Sequence, residues 1–254
     1  MQRQRVLITG GASGIGLMTA QAFLQAGASV FVCDKNAEAL ASMRQRFADV
    51  ATGICDMSVR ADVERMVAQG ATALGGIDVL VNNAGISGPT ALVEHLDPEA
   101  WEQVMQVNLT GTFNATRMAI PHLKKSASGV IIIMSSLAGR FGYPARSPYC
   151  VSKWGLIGLM KTLAIELGDD GIRVNAVLPG AVEGPRLEAV LAGRAAMANI
   201  TLDQASEGMM SIQTLKRFVD PNDVAALCVF LASDAAKSIS GQAIPIDSGA
   251  LKAS

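Results

Sequence analysis

Tyr149 and Lys153 stand four positions apart, and Ser136 stands thirteen positions before the tyrosine. Residues i and i+4 of a helix share one face, so a helix here would aim a phenol and an ammonium at the same place. An ammonium beside a phenol favours the phenolate, which is how a tyrosine can exchange protons near neutral pH. The neighbouring Ser135 is the other hydroxyl in reach, and the thirteen-residue offset favours Ser136. Such a pair recurs by chance, and its meaning depends on what else the chain supplies.

It supplies a glycine-rich turn. Thr9-Gly10-Gly11-Ala12-Ser13-Gly14-Ile15-Gly16 follows a short apolar run and opens an amphipathic one. Glycines allow a tight strand-to-helix turn and let backbone N–H groups approach a pyrophosphate at the positive end of a helix. Gly10, Ser13, Gly14, Ile15 and Gly16 are the candidate contacts. Asp34 lies eighteen residues past Gly16, where a carboxylate accepts hydrogen bonds from ribose hydroxyls. It would repel the extra phosphate of NADP, which Lys35 next door only softens, and no Lys or Arg lies in the turn. NAD is therefore expected over NADP. Asp56 is expected near the adenine. Asn83, Ala84 and Gly85 form a small-residue segment that lets backbone approach the cofactor.

The elements that must position these residues can be read from apolar patterning. Strands are expected at 6–8, 29–33, 52–55, 79–81, 130–134, 173–177 and 243–246. Helices are expected from the glycine turn to about 26, and over 37–47, 60–74, 98–123 with a break at Gly111, 148–168 and 221–232. Strict alternation of strand and helix implies an α/β fold: a doubly wound, Rossmann-type parallel sheet with helices on both faces. The chain reads as a single dinucleotide-binding and catalytic domain over 1–254. The irregular stretch at about 181–216, rich in methionine, is expected to be a substrate lid, with a long helical insertion as the alternative.

The chain has 254 residues, half of them apolar, with a net charge of −1. That gives no bulk attraction to nucleic acid, and no eighteen-residue apolar run predicts a membrane span. Cys33, Cys55, Cys150 and Cys228 are widely spaced, as are His95 and His122, so no metal site is expected. Reduced thiols and the lack of a leader-like N-terminus point to the cytoplasm.

These segments together resemble the short-chain dehydrogenase/reductase family. The marks are the Thr9–Gly16 turn, Asn82–Gly85, Asn108, Ser136, Tyr149, Lys153 and Pro179-Gly180, in family order over essentially the whole chain. The resemblance implies about seven strands and a homotetramer assembled through the helices at 98–123 and 148–168. It implies interconversion of a secondary alcohol and a ketone by hydride transfer with NAD(H). Tyr149 is then the acid/base. Lys153 also binds the nicotinamide ribose, Ser136 holds the substrate oxygen, and Asn108 holds a water that links Lys153 to solvent. Tyr149, Lys153, Pro179 and Gly180 also contact the cofactor. A threonine usual shortly after the Pro-Gly pair is absent, and Val182-Glu183-Gly184-Pro185 stands there, so the carboxamide would be held by backbone at Val182.

Taken singly, each residue has a plainer reading: Ser136 at a strand end, Asn108 kinking its helix, Tyr149 and Lys153 on a solvated face. Their coincidence with a dinucleotide fingerprint favours chemistry. Two rivals remain, an NADPH-dependent 3-oxoacyl-carrier reductase and a non-catalytic nucleotide-sensing protein. The substrate pocket is expected to draw on Ser87, Gly88, Leu137, Tyr143, Val182 and residues 185–214, with Leu187, Leu191, Met197, Met209 and Met210 as an apolar wall or simply as helix packing. Arg140, Arg146, Arg186 and Arg194 are candidates to meet an anionic substrate, and the plainer reading is solvated loop arginines.

Overall fold

The computed structural model describes residues 3–252. Seven parallel strands form one sheet in the order β3-β2-β1-β4-β5-β6-β7. They are β1 (Arg5–Thr9), β2 (Ser29–Asp34), β3 (Ala51–Ile54), β4 (Val79–Asn82), β5 (Val130–Met134), β6 (Arg173–Pro179) and β7 (Ala243–Ile246). Helices α1 (Gly14–Gln25), α2 (Ala37–Arg46), α3 (Arg60–Leu74), α4 (Pro98–Met105), α5 (Gly111–Leu123), α6 (Ser147–Glu166), α7 (Pro185–Ala198), α8 (Leu202–Ser211) and α9 (Pro221–Ala232) join them.

Side chains of a strand alternate between faces, and here both faces are covered, so the central strands read as unbroken apolar runs. β5 is Val-Ile-Ile-Ile-Met, buried at every position. Leu7, Leu80 and Ile131 face one core, with α3, α5 and α6 residues. Val6, Ile8, Val81 and Ile132 face the other, with α1 and α9 residues. The strand order turns back at β1, whose neighbours are β2 and β4. Open α/β sheets bind ligands at such a reversal, beyond the carboxyl ends of the strands.

Two stretches differ from the sequence expectation. The helix over 98–123 does not break at Gly111. It continues through a π-type turn at Gln106–Thr110, and Gly111 keeps helical dihedrals. Glycine is needed there for approach, because a Cβ at 111 would lie 2.6 Å from the Met57 carbonyl oxygen. Residues 181–216 are not irregular. They carry α7 and α8, the latter opened by a reciprocal capping box between Thr201 and Gln204. The chain after β7 runs back along the end of this segment, with Leu251 N–H donating to Ile212 O at 3.0 Å and Gln213 bridged antiparallel to Ala250. Among the described residues no helix is long and apolar enough to cross a membrane, and no group of His, Cys, Asp and Glu is gathered as for a metal.

Candidate active site

The turns after β1 and β4 are tied into one unit. Thr9 is buried, and its Oγ1 accepts from the N–H groups of Asn83 and Ala84 at 3.1 Å each. Asn83 Nδ2 donates back to the carbonyls of Thr9 and Gly10. The turns pack so closely that a Cβ on Gly10 would lie 2.8 Å from Ala84 Cα, and Gly10 has φ +61°. A Cβ on Gly16 would meet the Gly10 carbonyl at 2.4 Å. Gly14 serves differently. Its φ is +52°, and a Cβ there would meet nothing within 4 Å, so the backbone faces open space.

The first turn of α1 is prepared for an anion. Ser13, at its N-cap, makes no side-chain capping bond, and the turn holds no acidic residue. The leading N–H groups are thus left for a ligand at the positive end of the helix. Asp34 closes one side, its two oxygens accepting from Ala12 N–H at 3.2 Å and Asn36 N–H at 3.0 Å. Asp56 lines the same end, and the Ser58 hydroxyl and then the Ser58 N–H hold its carboxyl below the usual range. These residues fit the pyrophosphate and ribose of a dinucleotide.

A cleft of about 570 Å³ runs from Asp34 to Ala250, over the ends of β1, β4, β5 and β6. Ser136, Tyr149, Lys153, Pro179, Gly180 and Val182 all line it, so the structure brings together the residues singled out by spacing. Tyr149 and Lys153 share one face of α6, with Lys153 Nζ 5.6 Å from the centre of the phenol ring. Lys153 is buried, and its Nζ donates to the Met134 carbonyl at 2.8 Å. Burial, with the Arg186 charge adding to it, lowers its pKa to about 7.

Ser135 and Ser136 separate cleanly. Ser135 is buried, and its hydroxyl donates to the Lys153 carbonyl at 2.9 Å, anchoring α6 to the end of β5. Ser136 Oγ accepts from Ala138 N–H at 3.2 Å, and its own proton is left for the cleft. Asn108 lies behind the cleft wall, fully buried in the π-type turn. Its amide accepts from Ile86 N–H at 2.8 Å and donates to Ile86 O and Ser152 Oγ at 3.0 Å each. The Ile86 bonds hold the segment after Gly85 against the π-type turn, and the Ser152 bond ties that turn to α6.

Val182 bridges Val219 in parallel, and the bonds are made by its neighbours, Val219 N–H to Ala181 O and Glu183 N–H to Val219 O. In that register the N–H and C=O of Val182 face the other way. Cys150, beside Tyr149, donates to the carbonyls of Ala138 and Phe141, and burial raises its thiol pKa.

On the substrate side, Ser87, Leu137, Tyr143, Leu187 and Met209 line the cleft as expected, whereas Gly88, Leu191, Met197 and Met210 do not. Of the four arginines, Arg146 and Arg186 line it. Arg194 lies over the Tyr143 ring and donates to its hydroxyl. Arg140 is turned toward Asp247, at 3.9 Å. Ile212 and Gln213, within the 185–214 stretch, also line the cleft, and so does Ala250, which the sequence did not single out. Ala250 reaches it because the C-terminal tail pairs with the end of α8, a long-range contact without a local signal. Arg186 Nη2 donates to the Gly85 carbonyl at 2.7 Å, which joins the start of α7 to the β4 turn.

Comparisons with known proteins agree with this geometry. The family model described as Enoyl-(Acyl carrier protein) reductase matches residues 10–250. The chain is 39% identical over 247 residues to a 3-oxoacyl-(acyl-carrier-protein) reductase of Thermotoga maritima, covering 96% of each chain. It is 36% identical over 249 residues to a D-beta-hydroxybutyrate dehydrogenase of Cupriavidus necator, again covering 96% of each. Among solved structures it is similar to levodione reductase, with a TM-score of 0.92 at 31% identity over 97% of this chain and 96% of that one.

Proposed function

The chain belongs to the short-chain dehydrogenase/reductase family and is an oxidoreductase acting on CH–OH groups, and from that premise we propose how its residues divide the work. The observation that carries the reading is the Tyr149–Lys153 pair on one face of α6, set at the crevice between the β1 and β4 turns. Tyr149 takes the hydroxyl proton of a secondary alcohol during oxidation, or returns it to a ketone during reduction. Ser136 donates to the same oxygen and fixes the carbinol in reach of Tyr149. Lys153, with a pKa near 7, exchanges protons at neutral pH and passes charge behind the phenol. Asn108 positions the Ile86 backbone and Ser152 beside it, and by the family resemblance it would hold the water that links Lys153 to solvent.

The nicotinamide cofactor, when bound, accepts or gives the hydride. Asp34, Asp56, the Gly10–Gly16 turn and Asn83–Gly85 bind its adenosine and pyrophosphate. Lys153, Pro179, Gly180 and the backbone of Val182 take the nicotinamide end. Asp34 selects NAD(H), since its carboxylate is already fixed by two backbone N–H groups and cannot turn away from a phosphate. The same feature argues against the NADPH-dependent 3-oxoacyl-carrier reductase reading. Residues 1–254 act as one domain, with 181–216 as the substrate lid.

A homotetramer assembled through α5 and α6 suits the exposed Phe113, Val151 and Trp154 on those helices, and a monomer by light scattering would refute it. Four unpaired cysteines suit a cytoplasmic enzyme.

Replacing Tyr149 by Phe removes only the acid/base group. Turnover of secondary alcohols with NAD⁺, followed at 340 nm, should fall by about two to four orders of magnitude. The NADH dissociation constant should stay within about threefold. Full residual activity would end the assignment.

A further inference from the structure

The cleft wall beside Tyr149 holds an arginine whose presence the hydride chemistry does not explain. Arg146 is 6% exposed, yet its guanidinium lines the cleft. Nη2 donates to the Ser87 carbonyl at 3.1 Å, and Nη1 reaches Thr90 Oγ1 only at 3.5 Å. Nε is buried with no hydrogen-bond partner. Among the described residues no carboxylate pairs with Arg146 or with Arg186. A buried guanidinium with an unmatched donor and no counter-charge is costly. The neighbourhood adds to the cost, since Arg186, Arg194 and Lys153 all lie around the same wall. The acidic residues on the cleft are Asp34 and Asp56 at the far, adenosine end, and Glu183, which is exposed. Tyr143 and Tyr149 shield Arg146 partly, their rings 5.8 and 5.3 Å from its guanidinium carbon.

We propose that Arg146, assisted by Arg186 from α7, binds an anionic group on the substrate, so that the enzyme acts on a compact hydroxy acid and its oxo acid. This rests on the dehydrogenase reading above. With the carbinol oxygen at Tyr149 and the Arg146 guanidinium packed against the same ring, 5.3 Å from its centre, only a compact substrate spans the two groups, and the positional isomers below measure the spacing. The redox balance is unchanged: the O–H proton goes to Tyr149, the C–H hydride to oxidised nicotinamide, and a ketone forms. A planar carboxylate matches the donor fork of a guanidinium, and water exclusion at Arg146 makes the contact selective against neutral isosteres.

The test pairs 2-, 3- and 4-hydroxybutyrate with their methyl esters as substrates with NAD⁺. For at least one positional isomer, kcat/KM for the acid should exceed that for the ester by about 30-fold or more. The Arg146→Met variant should lower that ratio by a similar factor. Arg186→Gln should lower it by about tenfold, and stands as the second variant if Arg146→Met does not fold. A binding arm needs no turnover: butyrate and butyramide are titrated into the wild-type enzyme–NADH complex by fluorescence. Butyrate should bind at least about tenfold tighter than butyramide, and Arg146→Met or Arg186→Gln should erase the difference. Esters turned over as well as acids, or butyrate binding no tighter than butyramide, would overturn the anion assignment and leave the dehydrogenase reading standing. If butyrate binds as expected but no alcohol, charged or neutral, is turned over, the dehydrogenase reading is the one that fails.

Discussion

Lys153 offers a test that does not depend on knowing the substrate. Burial, with Arg186 adding to it, takes its pKa from the ordinary 10.5 to about 7. At about 1.4 kcal/mol per tenfold, that displacement is worth roughly 5 kcal/mol. The sign follows from proton counting. Between pH 7 and 10.5 the unfolded chain binds the lysine proton and the folded chain does not, so stability rises with pH across that window. The contribution is greatest above the unfolded value and is lost as pH falls through about 7, below which the folded state carries a buried ammonium. Between pH 7 and 9 the gain should be roughly 2 kcal/mol. In Lys153→Met this dependence disappears. The variant also leaves the Met134 carbonyl without its donor, a cost of about 1–3 kcal/mol that does not vary with pH. The diagnostic is therefore the slope and not the absolute stability. Urea unfolding of both cofactor-free proteins, at fixed protein concentration from pH 6 to 9, gives the difference curve. Wild type should gain on the variant by roughly 2 kcal/mol between pH 7 and 9. Curves parallel to within about 0.5 kcal/mol would show that Lys153 titrates alike in both states, and the proton-exchange role would lose its basis.

Asp34→Ala removes the carboxylate from the adenosine end of the cleft. The ratio of kcat/KM for NADP⁺ to that for NAD⁺ should rise at least about tenfold, and an unchanged ratio would mean that Asp34 does not select the cofactor. The adjacent serines should separate by the kind of damage done. Ser136→Ala should lower kcat by about 10²-fold and lower Tm less than Ser135→Ala does, because besides the substrate contact only the 3.2 Å bond from Ala138 N–H is lost. Ser135→Ala should cost about 0.5–1.5 kcal/mol and a few degrees in Tm, because the buried bond from its hydroxyl to the Lys153 carbonyl is lost. The opposite pattern would exchange their roles.

Local chemistry made most of this site legible in the sequence. The Tyr149–Lys153 spacing carries its own geometry, since any helix puts those two on one face. The glycine turn does the same, and its φ values at Gly10 and Gly14 are those that glycine admits without strain. What could not be read arises from contacts between distant segments. Gly111 looked like a helix breaker because its neighbour Met57 is far away in sequence. Residues 181–216 looked irregular because they hold Pro185, several methionines and no clear strand. Yet Pro185 at a first turn and Thr201 three residues before Gln204 are helix-start signals that were there to be used. The thirteen-residue offset already favoured Ser136 over Ser135, and the fold supplies the physical reason, since the Ser135 hydroxyl is taken by the Lys153 carbonyl.

The electrostatics make a related point about scale. A net charge of −1 suggests a chain with no electrical preference. Along the cleft the charge is unevenly placed: Asp34 and Asp56, with Lys35 beside them, at one end, the uncapped start of α1 in the middle, and Lys153, Arg146 and Arg186, with the exposed Glu183, at the other. A cleft with low-dielectric walls concentrates such local charge, and the sum over the molecule does not report it. Under the proposed function, this order of charges would give a bound dinucleotide one orientation, ribose hydroxyls toward the carboxylates and pyrophosphate on the helix, and would leave the nicotinamide end and the substrate to share the cationic wall. Composition excludes partners that need a uniformly charged surface, whereas the order of charges along one cleft decides what binds in it and which way round.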